Sequence, residues 1–436
     1  MVTMIGETAA SILLSGVPLL GALVNLAFRP NPDQLKISSI ATAVISLGAA
    51  AGLAGSLTSS SEGFLLIILL PLAAIASLLG QPVQLLYRSS WTMTLLFLGL
   101  GFGVLAQRGP AGQILSAVIM GLIAVLLYRH HTALWPMSWW GISTYGLAIV
   151  PAVLAAVTEP PISVVASLLS CAILLPLAPF HGGYVAALTR LPGNLPSFLA
   201  ALLPIIGFHN LASSSTAIPD ALTVPIGAAA IGGALYGAAK ALDQSRVRLR
   251  LAYGSLSFFC IIWWFISATR GAGPSAVVFA GAVALVTSGL LISWQVVRTR
   301  YGDDVDPQSI SGLASTMPRY AILLSLLGLA AIGLPPFGVF AGFIELVLAP
   351  TVSFSVVLFF ILLVWLAASW YILDPVQRLL FRTRRPDLRH ADLGHAEFAS
   401  LILIVLALVV LGVVPAHLFG TGSTAHAEIG SLTWTK

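Results

Sequence analysis

Long apolar stretches follow one another along this chain, separated by short polar connections. A helix needs roughly 20 residues to cross about 30 Å of hydrocarbon. On that measure the pattern predicts about fourteen membrane spans, at roughly 10–28, 37–57, 64–84, 91–107, 112–128, 139–157, 162–180, 196–213, 222–242, 251–269, 274–297, 319–348, 352–377 and 397–419. Two of these spans are interrupted. Span 7 contains LLPLAPFHGGY, Leu174–Tyr184, with Pro176 and Pro179. Span 12 contains LAAIGLPPFGVFAGF, Leu329–Phe343, with Pro335 and Pro336. Proline removes a backbone donor and clashes with the preceding turn, so each helix breaks there. Inside a bilayer a break is tolerated only where protein or water satisfies the freed carbonyls.

Paired interruptions in two halves of a membrane protein point to an ion or substrate path. Spans 7 and 12 lie five apart in the count, and an odd offset reverses direction across the membrane. Spans 4–8 (residues 91–213) and 9–13 (residues 222–380) are therefore read as two inverted five-helix repeats in one membrane domain, 1–436. This rests on helix parity and the position of the breaks. Residues 420–436 are read as a short external tail.

Composition agrees with the pattern. The chain is 58% hydrophobic and 8% charged, against about 25% charged in soluble domains. A soluble globular protein is excluded. The N-terminus lacks a basic n-region and opens a repeating series of spans, unlike a cleavable signal. Cys171 and Cys260 both fall within predicted helices and read as small core residues.

The net charge is +5, and its placement says more than its size. The connections after odd-numbered spans hold Arg29, Lys36, Arg88, Arg129, Arg190, Lys240, Arg246, Arg248, Arg250, Arg298, Arg300, Arg319, Arg378, Arg382, Arg384, Arg385 and Arg389. The opposite side holds Arg108, Arg270 and Lys436. Short connections rich in Lys and Arg stay in the cytoplasm. The expectation is a cytoplasmic (inner) membrane protein with both termini outside. Orientation accounts for the dispersed basic residues, and nucleic acid is not an expected partner. The longest polar stretches, Arg298–Pro318 and Arg382–Glu397, read as cytoplasmic loops.

Four stretches carry a family resemblance. PFHGGYVAALTRLPGNLPSFLAALL (Pro179–Leu203) resembles a PFH-x-W-L-P segment followed by a proline-led helix. ALDQSRVRLRLAYGSLS (Ala241–Ser257) resembles Q-x-D-x-K-R-x-x-A-Y-S-S. GLASTMPRYAILLSLLGLAAIGLPPF (Gly312–Phe337) resembles G-L-x-x-x-M-P running into G-L-P-P, and FGVFAGFIEL (Phe337–Leu346) follows the break. Together these resemble the antiporter-like membrane subunits of respiratory complex I, whose superfamily includes subunits of multi-subunit sodium/proton antiporters, membrane-bound hydrogenases and some inorganic-carbon uptake complexes. The resemblance covers roughly residues 90–380. It implies fourteen helices, inverted repeats and broken helices 7 and 12. It also implies a mid-membrane row of ionisable residues: a Glu on helix 5, a Lys on helices 7 and 8, a Lys or His on helix 11, and a Lys or Glu on helix 12.

Here that row is absent. The helix 5 position falls near Ile119 or Met120, the helix 7 position on Leu174, and the helix 8 position near Pro204 or Ile205. Span 11, AVVFAGAVALVTSGLLISW, holds no Lys or His, and the helix 12 position falls on Phe343. A charge at mid-membrane costs about 2.5–3.5 kcal/mol on insertion scales and is kept only where it is used. Ordinary proton pumping is therefore in doubt.

The surviving candidates for an ion or proton path are His181, Glu345, Lys240 and His209. His181 follows the first break, where it either relays protons or bonds carbonyls freed by Pro176 and Pro179. Glu345 lies two residues past the helix 12 position, either a displaced carrier or a helix-end surface group. Lys240 stands three residues before Asp243, which permits a surface ion pair; the other reading has it reaching into the bundle. His209 sits late in span 8. Arg246, Arg248 and Arg250 read as loop charges. Asp374 precedes Pro375, which reads as the end of span 13. Arg129, His130 and His131, near Trp135, Trp139 and Trp140, read as a membrane-interface cluster rather than a metal site.

No nucleotide loop, dinucleotide fingerprint, catalytic triad or cysteine cluster occurs. No cofactor or metal is expected, and no catalytic site of the chain's own. The expected partners are other integral membrane subunits, a peripheral catalytic protein and the lipid bilayer. The alternatives are a non-conducting scaffold subunit that anchors a partner, or a membrane partner in inorganic-carbon uptake.

Overall fold

Proline opens several of the helices. Pro110, Pro196, Pro274 and Pro318 each occupy a first turn, where a missing N–H goes unused in any case. In the computed structural model the described residues are 2–28, 31–57, 61–84, 87–107, 109–130, 137–302, 310–348, 356–381 and 391–414. Among them the elements are α1 (Val2–Phe28), α2 (Pro32–Leu57), α3 (Ser61–Leu79), α4 (Arg88–Ala106), α5 (Pro110–Arg129), α6 (Met137–Val157), α7 (Ile162–Leu174), α8 (Gly182–Arg190) and α9 (Leu195–Ser214), the last followed by a 3-10 turn, Ser215–Ala217. Then come α10 (Asp220–Asp243), α11 (Val247–Thr269), α12 (Pro274–Tyr301), the short α13 (Leu313–Thr316), α14 (Pro318–Ala331), α15 (Gly338–Val347), α16 (Val356–Phe381) and α17 (His395–Val413). No strand occurs among the described residues.

Among the described residues, eleven helices are long and apolar enough to cross a bilayer unaided. The other three crossings are α3, the pair α7–α8 and the pair α14–α15, so each of the fourteen predicted spans has its helix or broken helix. Three predicted boundaries change. Span 3 ends at Leu79 rather than 84, because the chain turns at Gly80 and Gln81 into Pro82. The helix of span 7 stops at Leu174, short of 180. Conversely, α16 does not end at Asp374 but runs through Pro375 to Phe381. One lost backbone bond is offset there by an i,i+4 pair, Arg378 Nε donating to Asp374 Oδ1 at 2.7 Å.

α9 and α12 lie against each other at the centre. α12 is surrounded by α3, α9, α11, α14, α15 and α17, and α9 by α3, α4, α7, α8 and α12. α1, α2, α6 and α16 keep wide apolar faces exposed, as lipid-facing helices do. Polar clasps sit where the basic connections gather. Arg300 pairs bidentately with Glu397, Nη1 to Oε1 at 3.0 Å and Nη2 to Oε2 at 2.7 Å. Asp392 accepts the backbone N–H of Arg319 and Tyr320 at the start of α14, an anion at a helix N-terminus. Ser400 of α17 donates to the carbonyl of Ala76 in α3.

The tail 420–436, His131, Trp135, Arg29, Arg108, Arg382, Arg384, Arg385, Arg389 and Lys436 lie outside the described residues.

Candidate functional site: the two helix breaks and the axis between them

The first break is held by its neighbours. α7 ends as Leu175 turns to an extended conformation, with its N–H donating to Cys171 O at 2.8 Å. The carbonyls released beyond it are met from α11. Trp263 Nε1 donates to Leu175 O at 2.9 Å, and the Cys260 thiol lies 3.8 Å from Pro176 O. On the other side α9 comes so close that a Cβ on Gly207 would collide with the backbone of Leu174 and Leu175. The break is thus closed by protein, one of the two solutions a bilayer permits. Leu174 has no exposed surface.

The second break is closed in the same manner by different residues. The chain leaves α14 through Gly333, whose φ of +70° favours glycine and which lies against the Trp365 indole of α16. On the far side Gly412 of α17 abuts the Pro336 carbonyl, leaving no room for a side chain. Phe343 in α15 stacks on Trp365 with ring centroids 3.7 Å apart. Phe279 of α12 and Phe258 of α11 complete an aromatic cluster, Phe258 standing 5.5 Å from Trp365 and 6.0 Å from Phe279. Such ring pairs contribute about 0.5–1.5 kcal/mol each beyond the area they bury.

Between the breaks the axis is apolar. Ile119, Met120 and Ile205 are buried along with Leu174 and Phe343. The polar groups found deep in the bundle are mainly hydroxyls. Tyr184 and Ser255 share a hydrogen bond at 2.9 Å, and Tyr371 donates to Gly254 O at 3.3 Å. Among the described residues, His209 is the one buried side chain of the types His, Lys, Arg, Asp and Glu.

The four candidate residues are not gathered into one site. His181 caps α8 beside the first break, with Tyr236 at 5.3 Å and Tyr253 at 5.9 Å between centroids. Its Nδ1 is buried. The ring also meets the Pro179 backbone in a hydrogen bond, while the carbonyls of Leu175 and Pro176 are approached by Trp263 and Cys260. Lys240 is half-buried in the last turn of α10, one turn from Tyr236 on the same face. It forms no ion pair with Asp243, which is exposed. Glu345 is exposed near the end of α15. His209 lies near the far end of α9, in a polar cavity whose wall includes no residue of either break.

Some residues that matter carry no sequence signal. Trp263 is one of two adjacent tryptophans, and only the crossing of α11 behind the break selects it. Arg248 is no loop charge: it lies in the first turn of α11. It donates to Leu191 O at 3.2 Å, Gly193 O at 3.3 Å and Gln295 Oε1 at 2.8 Å. One guanidinium thereby fastens the α8–α9 turn to α12. On the same side His130 caps α5, where burial and then Arg129 hold its pKa below the usual value.

A helical bundle with two broken spans, each closed by crossing helices, is the architecture of a polytopic transport-type membrane protein. The family described as "NADH:quinone oxidoreductase/Mrp antiporter, TM" matches residues 148–369, just over half of the 436, and the chain belongs to that family. NADH-quinone oxidoreductase subunit N of Syntrophotalea carbinolica is 32% identical over 218 residues, 48% of this chain and 46% of that protein. F(420)H(2) dehydrogenase subunit M of Methanosarcina mazei is 28% identical over 221 residues, 48% of this chain and 43% of that one. The matched region thus spans less than half of each relative's length. Among solved structures, a chain of respiratory complex I from Thermus thermophilus superimposes with a TM-score of 0.77 at 19% identity, covering 92% of this chain and 95% of that one. A chain of the membrane-bound sulfane sulfur reductase, an archaeal respiratory membrane complex, gives 0.80 at 14% identity, covering 93% and 76%. At these identities the likeness shows the fold.

Proposed function

We propose that this chain is an antiporter-like integral membrane subunit of a multi-subunit energy-converting complex, and that it carries no protons along a row of buried charges. The carrying observation is the packing at the aligned carrier positions. Leu174 is fully enclosed and Phe343 is stacked on Trp365, so neither place holds a titratable group. The relatives support membership of a larger assembly: one is a subunit of an NADH-quinone oxidoreductase and another of an F(420)H(2) dehydrogenase. In this reading the redox chemistry belongs to a peripheral partner, and the chain anchors neighbouring membrane subunits. Residues 91–213 and 222–380 act as two inverted repeats, a view supported by helix parity and the position of the breaks. The basic face is cytoplasmic, and both termini lie outside.

A second reading keeps conduction and runs it through His181. What favours it is the buried Nδ1 beside a helix break, with Tyr236 leading toward Lys240. The two readings separate in vesicles that contain the complete complex. His181→Ala, Lys240→Ala and Glu345→Gln are expected to leave proton flux unchanged, whereas removing the chain disperses the complex. Flux lost in the His181 variant, with the complex intact, would establish the second reading instead.

A further inference from the structure

The polar cavity around His209 is used by neither break. It lies between α3, α5 and α9, at the membrane face opposite the basic connections, and has a volume of about 410 Å³. A water's share of liquid volume is about 30 Å³, so there is room for roughly a dozen waters. Its wall includes Gln107, Gln113, His209, Asn210, Ser213 and Ser214. A second layer of hydroxyls supports it. Gln113 Nε2 donates to Ser167 Oγ at 3.1 Å, Ser167 and Ser214 share a hydrogen bond at 3.2 Å, and Asn210 Nδ2 donates to Ser116 Oγ at 3.0 Å.

That network is incomplete. Gln113 is 8% exposed, yet its Oε1 meets no donor among the described residues. Buried amide oxygens are paired with protein or with ordered water in nearly all native structures. At Gln113 the protein leaves that role to the cavity. Among the described residues the wall holds no Asp, Glu, Lys or Arg. Amides and hydroxyls both donate and accept, as water does. Past Ser116 the next turn of α5 brings Ile119 and Met120. Past Asn210 the next turn of α9 brings Gly207, closed against Leu174 and Leu175.

We propose that this space is a blind, hydrated vestibule that admits water and small hydrogen-bonding solutes to the level of Ser116 and Asn210. It stops about one helical turn, ~5 Å, short of the first break.

Cysteine substitution in the assembled complex tests this, because a thiol reacts as thiolate and so reports water. Native Cys171 and Cys260 have no exposed surface and stay in place. Gln113→Cys and Asn210→Cys are expected to react with N-ethylmaleimide at least about tenfold faster than Met120→Cys. An impermeant sulfonated maleimide should block that reaction only from the face bearing Gly109 and Ser214. Equal, slow rates at all three positions would overturn the proposal, as would blocking from the basic face. Hydroxyl-radical footprinting of the unaltered chain gives an independent readout. His209 should be oxidised and Met120, the intrinsically more reactive residue, spared; a spared His209 refutes the vestibule without any substitution.

Discussion

At Leu174 an enclosed leucine stands where the family resemblance implies a lysine. Its surroundings include the α9 backbone at Gly207, and among the described residues no Asp or Glu is buried. Leu174→Lys therefore restores the charge without a partner, at a cost of about 2.5–3.5 kcal/mol. The expected outcome is a lower yield of assembled complex and no gain in proton flux in vesicles. The first break offers a gentler test. Trp263→Phe keeps the ring and removes the donor to Leu175 O. Hydrogen bonds between membrane helices are worth about 0.6–2 kcal/mol, so detergent-solubilised protein should melt a few degrees lower. Arg248→Lys should do at least as much harm. An ammonium is a point charge without the guanidinium fork, and Arg248 serves three backbone carbonyls and Gln295 at once.

The helices are legible in the chain because apolar length is a coarse quantity. Twenty apolar residues cross a bilayer whichever neighbours they meet, so all fourteen spans can be placed without knowing any contact. Their ends are less legible. Pro375 looks like a stop, yet α16 passes through it, because one missing bond is small against a helix packed along α10 and α14. Close approach between helices leaves even less trace. Gly232 and Gly237 both lie in α10 and look alike in sequence. A Cβ on Gly232 meets nothing within 4 Å, whereas on Gly237 it would come within 2.9 Å of Ser257 N and Tyr253 O. Gly232→Ala should be neutral or stabilising by up to about 1 kcal/mol. Gly237→Ala should destabilise by about 1–3 kcal/mol. Thermal denaturation of the two purified variants, side by side, decides the matter. The vestibule is illegible for a similar reason: His209 stands out alone in the sequence, while Gln113, Ser167 and Ser214 join it only through the crossing of α5, α7 and α9.

Over the whole molecule the charge asymmetry makes a prediction independent of any site. Cysteines at Arg246 and at Asp220 should be labelled by an impermeant reagent from opposite faces, Arg246→Cys from the cytoplasmic side. Labelling of both from one face would contradict the proposed orientation.

The hydrogen bond from Ser400 to Ala76 also reaches beyond the finished fold. It joins residues 324 positions apart, and α17 packs along both α3 and α12. Helices enter a membrane in the order of synthesis, so α3 must wait while the 324 positions that separate Ala76 from Ser400 are made. Until α17 emerges, a flank of the bundle's centre stands open to lipid, and Gly412 is not yet there to close the second break. Completion of the fold should therefore wait on α17. Chains halted before residue 395 should be recognised by membrane proteases as unfinished, and a pulse-chase experiment should show protease resistance arising only once α17 has joined.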